Sequence, residues 1–157
     1  MMKKTLKIDV LAKQVPDTRN VGKDAMKADG TVNRAALAAI FNPEDLNALE
    51  QALVLKDMFP GSRVEILTMG PGRAAEIIRE GMFRGADVLL TDRKFAGSDT
   101  LATSYALSRA ALKMNPDIIV AGRQAIDGDT AQVGPQVAEK LNWPQVTYAE
   151  EIVGIEG

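Results

Sequence analysis

Short apolar runs alternating with helix-patterned stretches decide what this chain can fold into. Val88-Leu89-Leu90 and Ile118-Ile119-Val120-Ala121 carry no polar alternation, so each reads as a strand covered on both faces. Lys4 to Lys13 reads as a first strand with Leu6, Ile8, Val10 and Ala12 on one face, ended by Pro16. Arg63 to Met69 gives a second strand, and Val146-Thr147-Tyr148 begins a fifth.

Four helical patterns lie between these runs. Asn42-Pro43-Glu44-Asp45 opens the first, with an N-cap, proline at the first helical position and acids in the first turn. Leu46, Leu49 and Leu53 form its buried stripe, and Pro60-Gly61 stops it. The second carries Ala74, Ile77, Ile78 and Met82 and ends at the turn Arg84-Gly85-Ala86-Asp87. Ser98 or Asp99 caps the third, whose stripe is Leu101, Tyr105, Leu107 and Leu112 and which Asn115-Pro116-Asp117 breaks. The fourth runs from Thr130 to Leu141. A polar stretch from Asp17 to Arg34, with a turn at Asp29-Gly30, offers only weak hairpin potential. Five strands joined by four helices predict an α/β fold: a doubly wound, parallel five-stranded sheet with helices on both faces. Residues 1–157 read as a single nucleotide-binding α/β domain.

Composition then removes most chemistry. With Cys 0 and His 0, there are no disulfides, thiolates, imidazole bases, Ser-His triads or Cys/His metal sites. No catalytic residue and no metal ligand is assigned. A net charge of −2 gives no footprint for nucleic acid. No apolar run is long enough to span a membrane, and Met1–Lys4 opens no secretory h-region because Asp9 interrupts it. A cytoplasmic protein is expected.

In a doubly wound sheet the ligand lies beyond the carboxyl ends of the strands, where strand order reverses. Three glycine-bearing loops compete for it. Gly70-Pro71-Gly72-Arg73-Ala74-Ala75 fits G-x-G-x-x-A with Asp92 downstream, but it follows the second strand, and Pro71 lacks the N–H a pyrophosphate cradle needs. Gly97-Ser98-Asp99-Thr100, with Thr103 and Ser104, crowds polar groups onto a helix start, more than a cap requires. The third loop runs Gly122-Arg123-Gln124-Ala125-Ile126-Asp127-Gly128-Asp129-Thr130-Ala131-Gln132-Val133-Gly134-Pro135. Asp129-x-x-Gln132 resembles a capping box, yet the glycines at 122, 128 and 134 let backbone approach a ligand. The helix start offers N–H groups to a phosphate, and Arg123 a bidentate donor. Asp127 and Asp129 are expected to point toward the cap or ribose hydroxyls. No P-loop is present, since Gly22-Lys23 is followed by Asp24, so binding is expected and hydrolysis is not.

Several of these segments occur together in a known order. They are Lys13-Gln14-Val15-Pro16-Asp17-Thr18, Asn42 to Asp45, Leu67-Thr68-Met69-Gly70-Pro71, Phe95-Ala96-Gly97 through Ser104, Gly122 to Pro135, and Trp143-Pro144-Gln145-Val146-Thr147-Tyr148. In that order they resemble the β subunit of electron-transfer flavoproteins, over nearly the whole chain. The resemblance implies an adenine-nucleotide α-hydrolase-like (Rossmann-like) fold and makes the G-x-G-x-x-A match an ordinary strand–helix turn. It implies a nucleotide pocket using backbone at Leu11, the Asn42 segment, Met69, and the loop Gly122, Arg123, Gln124, Asp127, Gly128, Asp129, Thr130, Ala131, Gln132 and Val133. It also implies an α-subunit partner and electron transfer with acyl-CoA-type dehydrogenases.

Phe95–Ser104 is similar to the version in flavin-bifurcating members. That implies FAD, with Ser98, Asp99, Thr100, Thr103 and Ser104 toward the flavin, and NADH and ferredoxin or flavodoxin as further partners; any oxidoreductase activity would belong to the complex. The alternatives are AMP as a structural ligand, or a stress-protein-like adenine-nucleotide module. In the family, a partner-wrapping arm and a dehydrogenase-docking loop follow the position of Gly157, and the strand-like run 150–157 is expected to be cut off mid-structure.

Overall fold

A computed structural model describes residues 5–19, 22–30, 33, 36–86, 88–90 and 97–154. The expectations on Met1–Lys4, Arg34, Asp87, Asp92, Phe95, Ala96 and residues 155–157 lie outside that set. In chain order the elements are β1 (Lys7–Leu11), β2 (Gln14–Pro16), β3 (Ala39–Phe41), α1 (Pro43–Met58), β4 (Arg63–Leu67), a 3-10 turn (Gly72–Ala74), α2 (Ala75–Phe83), β5 (Val88–Leu90), α3 (Thr100–Met114), β6 (Ile118–Ala121) and α4 (Val133–Leu141).

The main sheet is parallel and four-stranded in the order β5-β4-β1-β6. Strand alternation divides its side chains between two cores. Ile8, Val10, Val64 and Ile66 pack with Ala48, Leu49, Ala52 and Leu55 of α1 and with Ile77 and Ile78 of α2. Leu11 and Leu67 face the other way, onto Leu107 and Ala111 of α3 and Val137 of α4. β6 divides the same way, Ile118 and Val120 to the first core and Ile119 and Ala121 to the second. Helices therefore cover both faces, as the uninterrupted apolar runs require. The order reverses between β1 and β6, which sets the switch point there.

Several expectations need correction. The first strand is shorter than Lys4 to Lys13, and Pro16 does not end it. The chain instead bends at Ala12-Lys13, and Gln14–Pro16 pairs antiparallel with Ala39–Phe41 in a separate two-stranded sheet. The fifth strand does not form at 146–148. Pro144 cannot donate to a ladder, Tyr148 has φ 56 in the left-handed region, and Val146 and Tyr148 are exposed.

α4 starts at Val133, later than Thr130. On α3, Leu101, Tyr105 and Leu112 face outward, while Ser104, Leu107, Ser108 and Ala111 are buried. Both serine hydroxyls donate to backbone carbonyls three residues back, Ser104 to Leu101 and Ser108 to Tyr105. Their polarity is thus satisfied, and their small size lets the helix approach the sheet. On α2 Met82 is exposed and Gly81 is inward, where any Cβ would collide with the Ile66 side chain.

One residue in the central strand breaks the apolar pattern. Asp9 is fully buried in β1, opposite Glu65 of β4, and neither of its carboxylate oxygens has a hydrogen-bond partner. By alternation it lies on the α3/α4 side. Lys7 on the same side pairs with Glu65 at 3.2 Å and donates to the Met114 carbonyl at the end of α3. Burial, helped by the neighbouring Glu65 charge and opposed by Lys7, raises the Asp9 carboxyl from its ordinary 3.8 to about 7.

The folded chain therefore holds a proton that the unfolded chain releases near pH 4, so stability falls as pH rises through about 7. Asp9→Asn removes this dependence. In urea unfolding at pH 5 and pH 8, wild type should lose stability relative to the variant by on the order of a few kcal/mol. Equal losses in both proteins would refute the assignment.

Candidate nucleotide site

The carboxyl ends of β1, β4 and β6 lie along one edge of the sheet, because the strands are parallel. At this edge the chain leaves β6 at Ala121 and enters no helix until Val133. The first turn of α1 grips the beginning of that connection. Asn42 is the N-cap by position, and its carbonyl accepts the Asp45 and Leu46 N–H groups, but its side chain caps nothing. Fully buried, it reaches instead to the long loop, donating from Nδ2 to the Gln124 carbonyl at 2.8 Å and accepting from the Ile126 N–H at 3.3 Å.

Glu44 takes Arg123 in a bidentate pair, at 3.2 Å from Nε and 3.0 Å from Nη2. It also accepts the Gln124 N–H at 3.1 Å. The Arg123 guanidinium, expected to be a phosphate donor, is thus held by a carboxylate, and its centre lies 6.0 Å from the centroid of the Tyr148 ring.

Asp45 is the buried member of this turn. It accepts the Lys13 N–H at 2.8 Å and lies against the Asn42 side chain and the Gly122 backbone. Burial outweighs these contacts and the Lys13 charge, and raises its carboxyl to about 7. Gly122 packs directly against it. A Cβ at 122 would collide with an Asp45 carboxylate oxygen and would lie 2.6 Å from the Glu44 carbonyl carbon and 2.8 Å from the Asp45 nitrogen. Glycine is required here by close approach of backbone, not by a left-handed φ.

Farther along, Lys13 pairs with Asp127 at 2.7 Å and the Gln124 amide donates to Asp129 at 2.8 Å. Asp127 and Asp129, expected to point toward the cap or ribose hydroxyls, are held instead by Lys13 and Gln124. Gly128 and Asp129 N–H groups close a turn onto the Ala125 carbonyl. Asp129 (φ 50) and Ala131 (φ 52) then adopt the left-handed region, which is costly for a residue such as alanine. Ala131 is followed by Gln132 in a right-handed conformation, an alternation of the kind that turns successive N–H groups toward one side as an anion-binding concavity. Gly128, Asp129 and Thr130 are exposed.

The two neighbouring helix starts differ. Asp99 caps α3, accepting the Ala102 N–H at 2.8 Å. At α4 the N-cap is Gln132, and no side chain caps the helix. The expected Asp129-x-x-Gln132 capping box is therefore absent; Gln132 accepts instead from the Thr100 hydroxyl at 3.0 Å, which ties α3 to α4. The α4 start is the one left for an anion.

Of the other expected residues, Leu11 and Met69 stand at the ends of β1 and β4, with the Leu11 side chain in the core beneath the edge. Ser98 and Thr103 are half-buried and flank the capped α3 start, while Ser104 points into the core. The Gly70–Ala75 turn is a 3-10 entry to α2, and its Arg73 carbonyl accepts from Gln14. Glu44 and Asp45 belong to the Asn42–Asp45 segment that the resemblance placed in the pocket. Here they and Lys13 hold the 122–127 backbone and side chains, where acids in a first helical turn had suggested only a dipole role. An open groove of about 780 Å³ beside Phe41, Leu46, Ile77 and Phe83 includes none of the 122–133 loop. Among the described residues no group of three or more acidic, His or Cys side chains could hold a metal ion, and no helix is long and apolar enough to cross a membrane.

Comparison with known proteins gives a consistent family. Residues 29–157 match the family described as "Electron transfer flavoprotein domain". The chain is 57% identical over 152 residues to the acryloyl-CoA reductase electron transfer subunit gamma of Anaerotignum propionicum, covering 94% of this chain and 56% of that protein. It is 53% identical over 149 residues to the electron transfer flavoprotein subunit beta of Clostridium acetobutylicum, with 94% and 56% covered. The caffeyl-CoA reductase-Etf complex subunit CarD of Acetobacterium woodii is 52% identical over 150 residues, again with 94% and 56% covered. The chain thus spans about half the length of the curated relatives it matches.

The close approach at Gly122 can be tested against Gly128, where an added Cβ meets nothing within 4 Å. Gly122→Ala should cost roughly 1–3 kcal/mol in chemical denaturation, because backbone has to move. Gly128→Ala should stay within about 0.5 kcal/mol of wild type. Similar costs at both positions would contradict the packing described.

Proposed function

The chain belongs to the electron transfer flavoprotein family as a β-type subunit, and from that premise we propose that it is a cytoplasmic nucleotide-binding subunit working with an α partner. The observation that carries the reading is the loop leaving β6: an exposed arch with left-handed Asp129 and Ala131 leading to an uncapped α4 start. Such a start fits a phosphate without any cationic side chain, because N–H groups and the helix dipole supply the attraction. The phosphate is assigned to the N–H groups of Thr130–Val133, since those of Gly128 and Asp129 already donate to the Ala125 carbonyl. Leu11 and Met69 backbone at the strand ends are assigned to the nucleoside, with Ser98, Asp99, Thr100 and Thr103 on the adjoining rim. The fold reading that goes with this is adenine-nucleotide α-hydrolase-like, with residues 1–157 as one nucleotide-binding domain.

For the nucleotide we propose FAD. A flavin supplies reversible one- and two-electron redox chemistry when bound. This chain's part is to anchor its phosphates at α4 and offer the α3 rim to its polar edge. Acyl-CoA-type dehydrogenases are the proposed electron partners, supported by the two relatives named for acryloyl-CoA and caffeyl-CoA reductase complexes. The same support extends the proposal to bifurcation, with NADH and ferredoxin or flavodoxin.

AMP remains the second reading, favoured by one observation. The Asp99 carboxylate caps α3 and Ser104 is buried, so the rim offers fewer polar groups than the sequence suggested. Reconstitution of the full-length protein with its α subunit, followed by absorption spectroscopy and mass spectrometry of released nucleotide, separates the two. Two flavins per heterodimer support FAD in this subunit, whereas one flavin with one AMP overturns it.

The phosphate placement has its own test. Thr130→Asp puts negative charge on the exposed arch, and we expect loss of co-purifying nucleotide with an unchanged circular dichroism spectrum. Stoichiometric nucleotide in the variant would show that the phosphate lies elsewhere.

A further inference from the structure

We infer that Glu44 and Asp45, with Asn42 and Lys13, are positioning residues that hold 122–127 as a fixed base. The turn of Gly128 and Asp129 onto the Ala125 carbonyl extends that base to 129, so that only 130–133 offers N–H groups to the nucleotide. The inference rests on the nucleotide reading above and divides the loop that the sequence presented as one binding run.

The division follows from where the polar groups of the loop go. The Gln124 and Ile126 N–H groups donate to Glu44 and Asn42, and the Gly122 backbone lies against Asp45. The Gln124 carbonyl accepts from Asn42, and the Arg123 and Asp127 side chains pair with Glu44 and Lys13. The Gln124 and Ile126 N–H groups are therefore satisfied by side chains at the start of α1. A helix start can attract a ligand anion, but here the Glu44 carboxylate supplies the negative charge itself.

Gly122 allows this contact by bringing loop backbone against Asp45, where no side chain fits. The two left-handed residues come only after the directly held 122–127, at 129 and 131. Grip and arch are consecutive, and the grip fixes the direction in which the arch leaves the sheet. Arg123 is accordingly a structural partner of Glu44, not a phosphate ligand.

The two roles predict opposite signs for one substitution. If Arg123 were a phosphate ligand restrained by Glu44, Glu44→Gln would free it, remove a nearby negative charge and tighten nucleotide binding. As a positioning residue, Glu44 should do the reverse: Glu44→Gln should weaken AMP binding to the full-length protein about tenfold by calorimetry. Arg123→Gln should weaken it similarly, and the double variant no further, since both break one interaction.

A ligand-free measurement keeps the two readings separable. Hydrogen exchange at Gln124 and Ile126 should quicken about tenfold in Glu44→Gln and in Asp45→Asn, with Val10 and Ile66 amides unchanged. Unchanged loop exchange, or tighter AMP binding by Glu44→Gln, overturns the positioning role even where wild type binds AMP normally. Quickened exchange in a protein whose wild type binds neither AMP nor FAD overturns the nucleotide reading, and with it the positioning role for a nucleotide.

Discussion

The contact between the first turn of α1 and the chain leaving β6 is the constraint on which the site depends. Gly122 sits where a side chain would collide with Asp45, and Asp45 in turn holds the Lys13 N–H at the point where the chain bends after β1. One buried carboxylate thus joins the ends of two neighbouring parallel strands to the helix that covers them. Those strands flank the switch point, so the same contact fixes the geometry of the cleft in which a doubly wound sheet binds ligands. Removing the carboxylate would leave the Lys13 N–H without its partner in a partly buried place, which is costlier than losing an exposed ion pair.

The sheet supports this arrangement by being buried on both faces. Ile8 and Val10 face α1 and α2, and Leu11 faces α3 and α4, so β1 can neither slip by one residue nor tilt without exposing one core. Asp9 is the exception in that strand. Its neighbours Glu65 and Lys7 form an ion pair, but Asp9 itself is left without hydrogen bonds and is held near neutrality by burial. The interior therefore contains two carboxyls raised into the neutral range, Asp9 in the middle of β1 and Asp45 at the site.

The sequence made the sheet legible because parallel strands covered on both faces leave uninterrupted apolar runs, as at Ile118–Ala121. It was less informative where partners lie far along the chain. Asn42 reads as an N-cap from its neighbours alone, yet its side chain serves a loop more than eighty residues later. Leu101, Tyr105 and Leu112 read as a buried stripe, and only the bonds from Ser104 and Ser108 back to the helix explain why the serines face inward instead. The fifth strand failed beside Pro144, which cannot donate to a ladder, and at the left-handed φ of Tyr148, which no composition of the run Val146-Thr147-Tyr148 announces. For the site, the 122–133 run was visible as an unusual glycine-bearing loop, but the division of that run between grip and arch was not. Spacing shows which residues share a loop and says nothing about which of them already have partners.

Energetic comparison explains why grip and arch belong together. Left-handed backbone at a non-glycine residue costs of order 1–3 kcal/mol, and the arch has two such residues, Asp129 and Ala131. An exposed arch cannot recover that cost by burying apolar surface, since Gly128, Asp129 and Thr130 all face solvent. Hydrogen bonds to charged groups contribute roughly 1.5–3 kcal/mol each, and Glu44 provides them to Arg123 and Gln124 shortly before the strained residues. The terms are of similar size, so the gripped segment can sustain the strain of the arch, whereas capping by Asp129 alone could not. A loop held from one side and strained on the other presents its N–H groups before a ligand arrives, and little reorganisation remains to be done on binding.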